Sequence, residues 1–507
     1  MSEKRLRFAP SPTGPLHIGG LRTALYNYLI SKKEQGKFIL RIEDTDQIRF
    51  NKNAEKHIYE SLEWCGILPD ESPYTPGKYG PYRQSERKEL YKKYVNKLIE
   101  NNTAYYAFDS TERLDKARKE SEQKGKTFIY NWENREKFKN SLSLDADTTK
   151  KYVEENKYVV RFKSYDKKSE KSSIQIEDKI RGRINVDLKL QDDKIIFKND
   201  GMPTYHLANV IDDHLMEISD VVRGEEWLPS LALHWQLYDA FNWKKPSFAH
   251  LPLILKPTGK GKLSKRDGEK FSIPIYPIKW IENENMIYNG FKEIGFEKDA
   301  FINFISMLGW NPGNEDEIFN LNELIEKFDI SRIIKSGAKY DFEKAKWFNV
   351  EHIKKISDKN ITQELTDDIV KNFQEIIETN KVEDLLKIVR ERVTFRKDII
   401  EEINLSLEYN IQEFEENLNR ISFDKNINQL LLLFIDHYKK NESIDIIKNY
   451  YMEEMKKREI KIGDGMKALR LCISGKLSGV DLFSLINIIK NDIIIKRINN
   501  SLKLIND

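Results

Sequence analysis

Cysteine is almost missing. Cys65 and Cys472 are the only two in 507 residues, they lie far apart, and neither sits in a C-x-x-C spacing. That excludes a disulfide framework and a thiolate metal site and points to a reducing compartment. No apolar run approaches the roughly 18 residues that span a bilayer. Informative pattern begins by Arg7, so no leader is expected and the reading is cytoplasmic. Bulk charge is lacking too: a net charge of +3 excludes a histone-like protein, and any RNA contact must come from local basic faces. Internal repeats and low-complexity segments are absent. What is present is length and apolar content. A chain of 507 residues exceeds what one core serves, so roughly two to five packed units are expected. With 39% hydrophobic and 33% charged residues, those units have real cores and solvated surfaces.

The start reads as a strand at Arg5 to Ala9, a turn through Pro10, Pro12 and Pro15, an apolar helix from about His17 to Ile30, and a second strand at Phe38 to Ile42. This β-α-β order predicts an α/β fold with a doubly wound parallel sheet. Ligands of such sheets sit beyond the carboxyl ends of the strands, so the first loop is where chemistry is expected. From about Tyr91 to Lys198 the texture changes to long charged helices with a strand-like stretch at Ile174 to Phe197, as an insertion would. Asn199-Asp200-Gly201 signals a turn, after which helix and buried-strand patterns resume. Beyond about Ile325 glycine and proline thin out, and apolar residues recur at helical spacing, as in Leu430, Leu431, Leu433 and Phe434. An all-α C-terminal third is predicted.

Two segments carry chemistry. In the first, Leu16-His17-Ile18-Gly19-Gly20 puts two glycines in the first turn of a helix, each costing about 1 kcal/mol against alanine. A nucleobase packed on bare backbone would use the space. His17 can donate to a phosphate, and the helix N-terminus favours an anion. Taken alone, Gly-Gly after a Pro-rich turn is ordinary chain reversal, and no P-loop is present. In the second, Lys256 to Gly268, glycines lend mobility and the lysines of Lys262-Leu263-Ser264-Lys265-Arg266 could close over a triphosphate. By itself it is equally a solvated basic loop.

The His-Ile-Gly element followed far downstream by Lys-Leu-Ser-Lys-Arg resembles the paired signatures of class I aminoacyl-tRNA synthetases. Four further blocks are similar to those of bacterial-type glutamyl-tRNA synthetases, in the expected order and over nearly the whole chain. They are Arg7-Phe8-Ala9-Pro10-Ser11-Pro12-Thr13-Gly14, Arg41-Ile42-Glu43-Asp44-Thr45-Asp46, the run from Asp200 to Asn209, and Val222-Arg223-Gly224-Glu225-Glu226-Trp227. Three departures stand out. Gly20 replaces a histidine frequent in the superfamily, Lys-Leu-Ser-Lys-Arg follows the family's own wording, and Tyr106-Ala107-Phe108-Asp109 stands where some relatives carry zinc-binding cysteines, so no zinc is expected.

The resemblance implies a Rossmann-type class I catalytic domain split as 1–90 and 199–325, the second half including the Lys-Leu-Ser-Lys-Arg loop and a connecting domain. An inserted acceptor-stem domain would cover 91–198 and a helical anticodon-binding region 326–507. It implies ATP-dependent activation of glutamate and transfer to the 3'-terminal adenosine of tRNA-Glu, with Mg²⁺ accompanying ATP. A monomer without membrane association is expected. Two carboxylates and an ammonium need two cations and an acid. By resemblance, Arg7 and Tyr205 take the side-chain carboxylate, Arg223 the α-carboxylate and Glu43 the ammonium, with Ala9, Ser11, Asn209 and Trp227 completing the wall. ATP falls to Pro10, His17, Gly19, Gly20, Lys262, Ser264, Lys265 and Arg266, of which His17, Lys262 and Lys265 serve catalysis. Arg390, Arg392 and Arg470 resemble anticodon-facing positions, although arginines on helices ordinarily point to solvent. Asp212-Asp213-His214 could suggest a metal but belongs more simply to the block around Asn209. Four competitors share parts of this pattern. A glutaminyl enzyme would have β-barrels at its C-terminus, a truncated relative that glutamylates a modified base would lack that region, and a small-molecule nucleotidyltransferase would share only the two signatures. A non-enzymatic RNA-binding module would carry out no pyrophosphate chemistry.

Overall fold

The computed structural model describes residues 3–356, 365, 366, 369–421, 423–440 and 442–506. These form two compact units, one of residues up to Ile294 with Lys298–Phe342, the other of Gly295–Glu297 with Glu343 onward.

In the first unit the predicted opening is realised: β1 (Arg5–Phe8), α1 (Ile18–Lys33) and β2 (Lys37–Leu40), followed by α2 (Lys52–Trp64). All four residues of β1 are buried, as a strand covered on both faces by crossover helices must be. Further strands are β3 (Ala104–Ala107), β4 (Val159–Phe162), β5 (Ser173–Asp178), β6 (Gly182–Asp187), β7 (Ile195–Phe197), β8 (Asp220–Gly224) and β9 (Ser247–Leu251). The main sheet has the order β2-β1-β8-β9-β5-β6. β1 runs parallel to both β2 and β8, and β8 is parallel to β9 with Arg223 opposite His250.

The chain therefore leaves β1 toward β2 on one side and returns on its other side as β8. That is a topological switch point, and the crevice beyond the carboxyl ends of β1 and β8 is where such sheets bind ligands.

Residues 91–198 contribute to two sheets. β3, β4 and β7 form a small antiparallel sheet of their own, while the β5–β6 hairpin extends the parallel sheet beside β9. Within the small sheet's surroundings, Phe108 stacks on Tyr152 at 5.0 Å, and Asp109 accepts from the Lys139 N–H at 3.0 Å.

The second unit is built of helices, with an isolated bridge between Ile377 and Ile489. Its helix Lys425–Tyr438 is capped by Asp424, which accepts from the Ile427 N–H, and buries Ile427, Leu430, Leu431, Phe434, Ile435 and Tyr438. Residues 326–342 belong to the first unit, where Ala338-Lys339 pairs in parallel with Ile254-Leu255. A pair of two residues is too short to leave a periodic trace in sequence.

Leu6, fully buried in β1 between β2 and β8, tests the role of this strand. Leu6→Ala is expected to cost about 2–5 kcal/mol, read as a lower urea midpoint for the first unit. A loss below about 1 kcal/mol would show that β1 is not part of a close-packed core.

Candidate functional site

At the switch point lies a cavity of about 620 Å³. Its wall comes from the turn after β1, the start of α1, Glu43, the helix Tyr205–Leu215, the end of β8 and the 262–265 loop. Residues 17, 19 and 20 thus face the same space as 262, 264 and 265.

One end of the cavity is set by charge. Arg7 donates to Asp213 from Nε at 2.9 Å and Nη2 at 3.2 Å, so both N–H groups on Nη1 and one on Nη2 remain. Arg41, fully buried, donates to Asp213 at 2.7 Å and to Glu43 Oε1 at 3.0 Å. Arg87 pairs with Asp212 at 2.7 Å. Three guanidiniums are matched by three carboxylates. Burial pushes the Asp213 carboxyl up, but Arg7 and Arg41 outweigh it and hold the group below its ordinary range. Asn209 donates to Glu43 Oε1 at 2.9 Å. Both bonds fall on Oε1, which leaves Oε2 for a donor in the cavity.

Arg223 differs from those three. Only 4% exposed, it makes no ion pair among the described residues. Its partners are all neutral: His250 Nε2 at 3.0 Å, the Tyr205 hydroxyl at 3.1 Å, His234 Nδ1 at 3.2 Å and the Trp227 carbonyl at 3.5 Å. Because Arg223 can only donate, His234 accepts at Nδ1 and carries its hydrogen on Nε2, toward His206 Nδ1 at 3.2 Å. Burial, then nearby cations, lower His206 to about 4 and His234 well below its ordinary range. Both rings are neutral at pH 7. Tyr205 stacks on Trp227 at 4.1 Å.

At the other end, His17 is the N-cap of α1, and its Nδ1 accepts from the Gly19 N–H at 3.1 Å. Its proton must then reside on Nε2, which is buried and has no hydrogen-bond partner among the described residues. Burial, with Lys262 and Lys265 nearby, lowers the ring to about 4. His17 is therefore a neutral donor aimed by its own helix cap. The two glycines after it differ: a Cβ at Gly19 would meet only His17, whereas one at Gly20 would strike Leu16 Cδ1 at 2.9 Å. Gly20 makes room for Leu16, and Gly19 keeps bare backbone at the wall.

Lys262 is paired with Glu226 at 2.6 Å. Lys265 makes no ion pair among the described residues, and its Nζ lies where a Cβ on Gly14 would come within 2.6 Å. Ser264 caps the helix Lys265–Phe271 through a capping box with Asp267. Arg266 is exposed and outside the cavity wall, since one residue along a helix turns a side chain by about 100°.

His57 was not anticipated and sits on α2. Its Nδ1 accepts from the Leu16 N–H at 3.1 Å and its Nε2 donates to the Ile278 carbonyl at 3.1 Å. With the Ile18 N–H donating to Ile275, it ties the His17 turn to the chain that follows residues 262–271. Asp213, Arg41, His234 and His250 were likewise not assigned from sequence. Asp213 had a signal in the Asp-Asp-His run, as a counter-ion rather than a metal ligand.

In the second unit, Arg392 donates to Glu402 at 2.7 Å and to the Gly479 carbonyl at 3.0 Å. Arg470 approaches the same Gly479 within 3.0 Å of where a Cβ would lie. Arg390 donates to the Ile356 carbonyl at 3.1 Å.

The chain matches the family described as tRNA synthetases class I (E and Q), catalytic domain, over residues 3–347, and the anticodon binding domain over 350–502. It is 46% identical to the glutamate–tRNA ligase of Christiangramia forsetii, covering 99% of each chain. Identity to that of Flavobacterium johnsoniae is 45%, covering 98% of each. Among solved structures it resembles the glutamate tRNA ligase of Elizabethkingia meningosepticum in complex with its amino acid, with TM-score 0.84, 41% identity and 99% of both chains. It also resembles the glutamate-tRNA synthetase of Elizabethkingia anophelis, with TM-score 0.81, 42% identity, and 99% and 100% of the two chains.

Folding keeps His17 and His206 neutral down to about 4, whereas in the unfolded chain they take up protons near 6.5. Between those values the unfolded state binds more protons, so stability falls as pH drops. Urea midpoints are expected to decrease from pH 7 to pH 5, and an increase over that interval would contradict the neutral assignments.

Proposed function

The chain belongs to the class I tRNA synthetases of the glutamate and glutamine group, and from that premise we propose that it is the glutamate-specific member, a glutamate–tRNA ligase. The observation that carries this reading is the buried Arg223 guanidinium without a carboxylate, beside a charge-balanced Arg7 cluster and the acid Glu43. A buried cation lacking a counter-ion is costly, and an anionic ligand would supply one.

Glutamate would place its α-carboxylate on Arg223 and its side-chain carboxylate on the remaining N–H groups of Arg7 and the Tyr205 hydroxyl. Its ammonium would reach Glu43 Oε2, with Ala9, Ser11, Asn209 and Trp227 enclosing the chain. Arg7 offers only donors there, so glutamine would turn an N–H group toward N–H groups and leave a buried cation poorly satisfied. A charge-assisted hydrogen bond is worth about 1.5–3 kcal/mol, enough to favour the acid.

ATP, entering with Mg²⁺ on its phosphates, would lie along Pro10, Gly19 and Gly20. Among the described residues no group of three or more His, Cys, Asp or Glu could hold a metal, and Mg²⁺ would be brought to the site by the nucleotide and would supply charge neutralisation there. An α-carboxylate oxygen bonds to the α-phosphorus in line as the bond to the β-phosphate oxygen breaks and pyrophosphate leaves. No protein nucleophile is needed; positioning and charge stabilisation supply the acceleration. The His17 Nε2–H, the N-terminus of α1, Lys262, Lys265 and Ser264 would meet the phosphates, and Arg266 would reach them only after the loop closes. Lys262 must first leave Glu226.

A hydroxyl of the terminal adenosine of tRNA-Glu then attacks the activated carbonyl and AMP departs. Residues 91–198 would carry the acceptor end, and the helical unit would read anticodon bases exposed on their edges, with Arg390, Arg392 and Arg470 as candidates. We assign the activity to a monomer in the cytoplasm.

ATP–pyrophosphate exchange tests the reading. Exchange is expected with glutamate when tRNA-Glu is present, and exchange supported by glutamine alone would overturn it. Lys265→Ala is expected to lower kcat by roughly 10²-fold with a much smaller change in KM for ATP, because its ammonium acts on charge that develops as pyrophosphate leaves. An effect confined to KM would remove Lys265 from that role.

A further inference from the structure

Arg223 is aimed from behind by a residue pair whose second member lies on the β5–β6 hairpin. His250 sits opposite Arg223 in the β8–β9 ladder, and its Nε2 takes the Arg223 Nε–H at 3.0 Å. Its other nitrogen, Nδ1, lies 2.6 Å from Asp178 Oδ2. Both His250 and Asp178 have fully buried side chains. Since Arg223 has no acceptor, His250 Nε2 must be unprotonated and Nδ1 must carry the hydrogen, donated to Asp178. Asp178 Oδ1 in turn accepts from the N–H groups of Ile180 at 3.0 Å, Arg181 at 2.8 Å and His250 at 3.3 Å.

We propose that Asp178 and His250 are positioning residues that hold Arg223 in the orientation that receives the substrate α-carboxylate, by locking the His250 tautomer. This rests on the reading that Arg223 takes the α-carboxylate. The Asp178 charge acts on Arg223 at one remove. A carboxylate bonded directly to Arg223 would cancel the cation offered to substrate. Placed behind an imidazole, it orients the guanidinium and leaves its charge available. Burial pushes the Asp178 carboxyl up, but the His250 bond and the backbone N–H groups hold it below the ordinary range, so it remains an acceptor. Burial also keeps the His250 ring neutral by lowering its pKa. Arg223 and Asp178 favour the same tautomer from opposite sides: with an amide at position 178 whose oxygen stays on the backbone N–H groups, its N–H would face His250 Nδ1, the ring hydrogen would be driven to Nε2, and two donors would meet at Arg223. Such second-layer carboxylate–histidine pairs commonly set ring orientation.

Two substitutions of His250 separate positioning from a structural role. Glutamine places its terminal amide near the ring's Nε2 and can still accept from Arg223; asparagine places its amide near Nδ1 and keeps only the Asp178 contact. In ATP–pyrophosphate exchange with tRNA-Glu, His250→Asn and Asp178→Asn are expected to raise KM for glutamate roughly tenfold or more. His250→Gln is expected to stay within about threefold of the parent, and KM for ATP to move little in all three. If the pair serves only to pin the hairpin to the sheet, the order reverses: His250→Gln is the more damaged protein, with thermal stability and both KM values shifting together. That result overturns the proposal. Arg223→Ala is run alongside. If it leaves KM for glutamate unchanged, the assignment of Arg223 itself is wrong and the positioning role falls with it. If it raises KM while His250→Asn does not, only the positioning role is refuted.

Discussion

A guanidinium buried without a carboxylate is the constraint on which the site depends. Taking an ion out of water costs several kcal/mol even after relaxation, and the fold meets that cost differently for its arginines. Arg7, Arg41 and Arg87 are offset by Asp213, Glu43 and Asp212. Arg223 is surrounded by imidazoles, a phenol and a carbonyl. Of these arginines only Arg223 lacks a carboxylate in direct contact, and a ligand carboxylate would supply one. Neutral histidines make this possible, since a protonated ring beside Arg223 would add like charge to the same buried volume.

The sheet order places these groups without long-range adjustment. Arg7 on β1 and Arg223 on β8 belong to adjacent parallel strands, so their spacing is set by the ladder rather than by loops. The turn after β1 then delivers His17 to the start of α1, where the cap bond to Gly19 decides both the ring's orientation and which nitrogen keeps the proton. His57 and the Ile18 to Ile275 bond tie that turn to the chain beyond the lysine loop. The two segments proposed to meet the nucleotide, some 240 residues apart in sequence, thus share a buried anchor. Lys262 is paired with Glu226 near the surface, so a bound polyanion would compete with that carboxylate for its ammonium.

Much of this was legible in the residues. The β-α-β opening, the helical C-terminal region and the meeting of residues 17–20 with 262–265 follow from periodicity and from family-like blocks. What was not legible depends on pairings across long sequence distances. Asp213 read as part of the family-like block around Asn209, and only the approach of Arg7 from β1, 206 residues away in sequence, makes it that arginine's counter-ion. Gly20 looked like a seat for a base, yet its missing side chain accommodates Leu16. Arg266 adjoins Lys265 in sequence but is turned away from the wall by the helix they share. His250 and Asp178 gave no signal, because a buried histidine in a strand and an aspartate at a hairpin turn are both commonplace, and their relation to Arg223 arises only from the β5-β9-β8 order.

Where an anion settles in the cavity decides whether Arg223 awaits a carboxylate. A crystal structure of the chain with L-glutamate bound measures this directly. The α-carboxylate is predicted within hydrogen-bond distance of Arg223 Nη2, the side-chain carboxylate at Arg7, and the ammonium at Glu43. Glutamate bound in the reverse sense, or outside this cavity with Arg223 still facing only neutral partners, would contradict it.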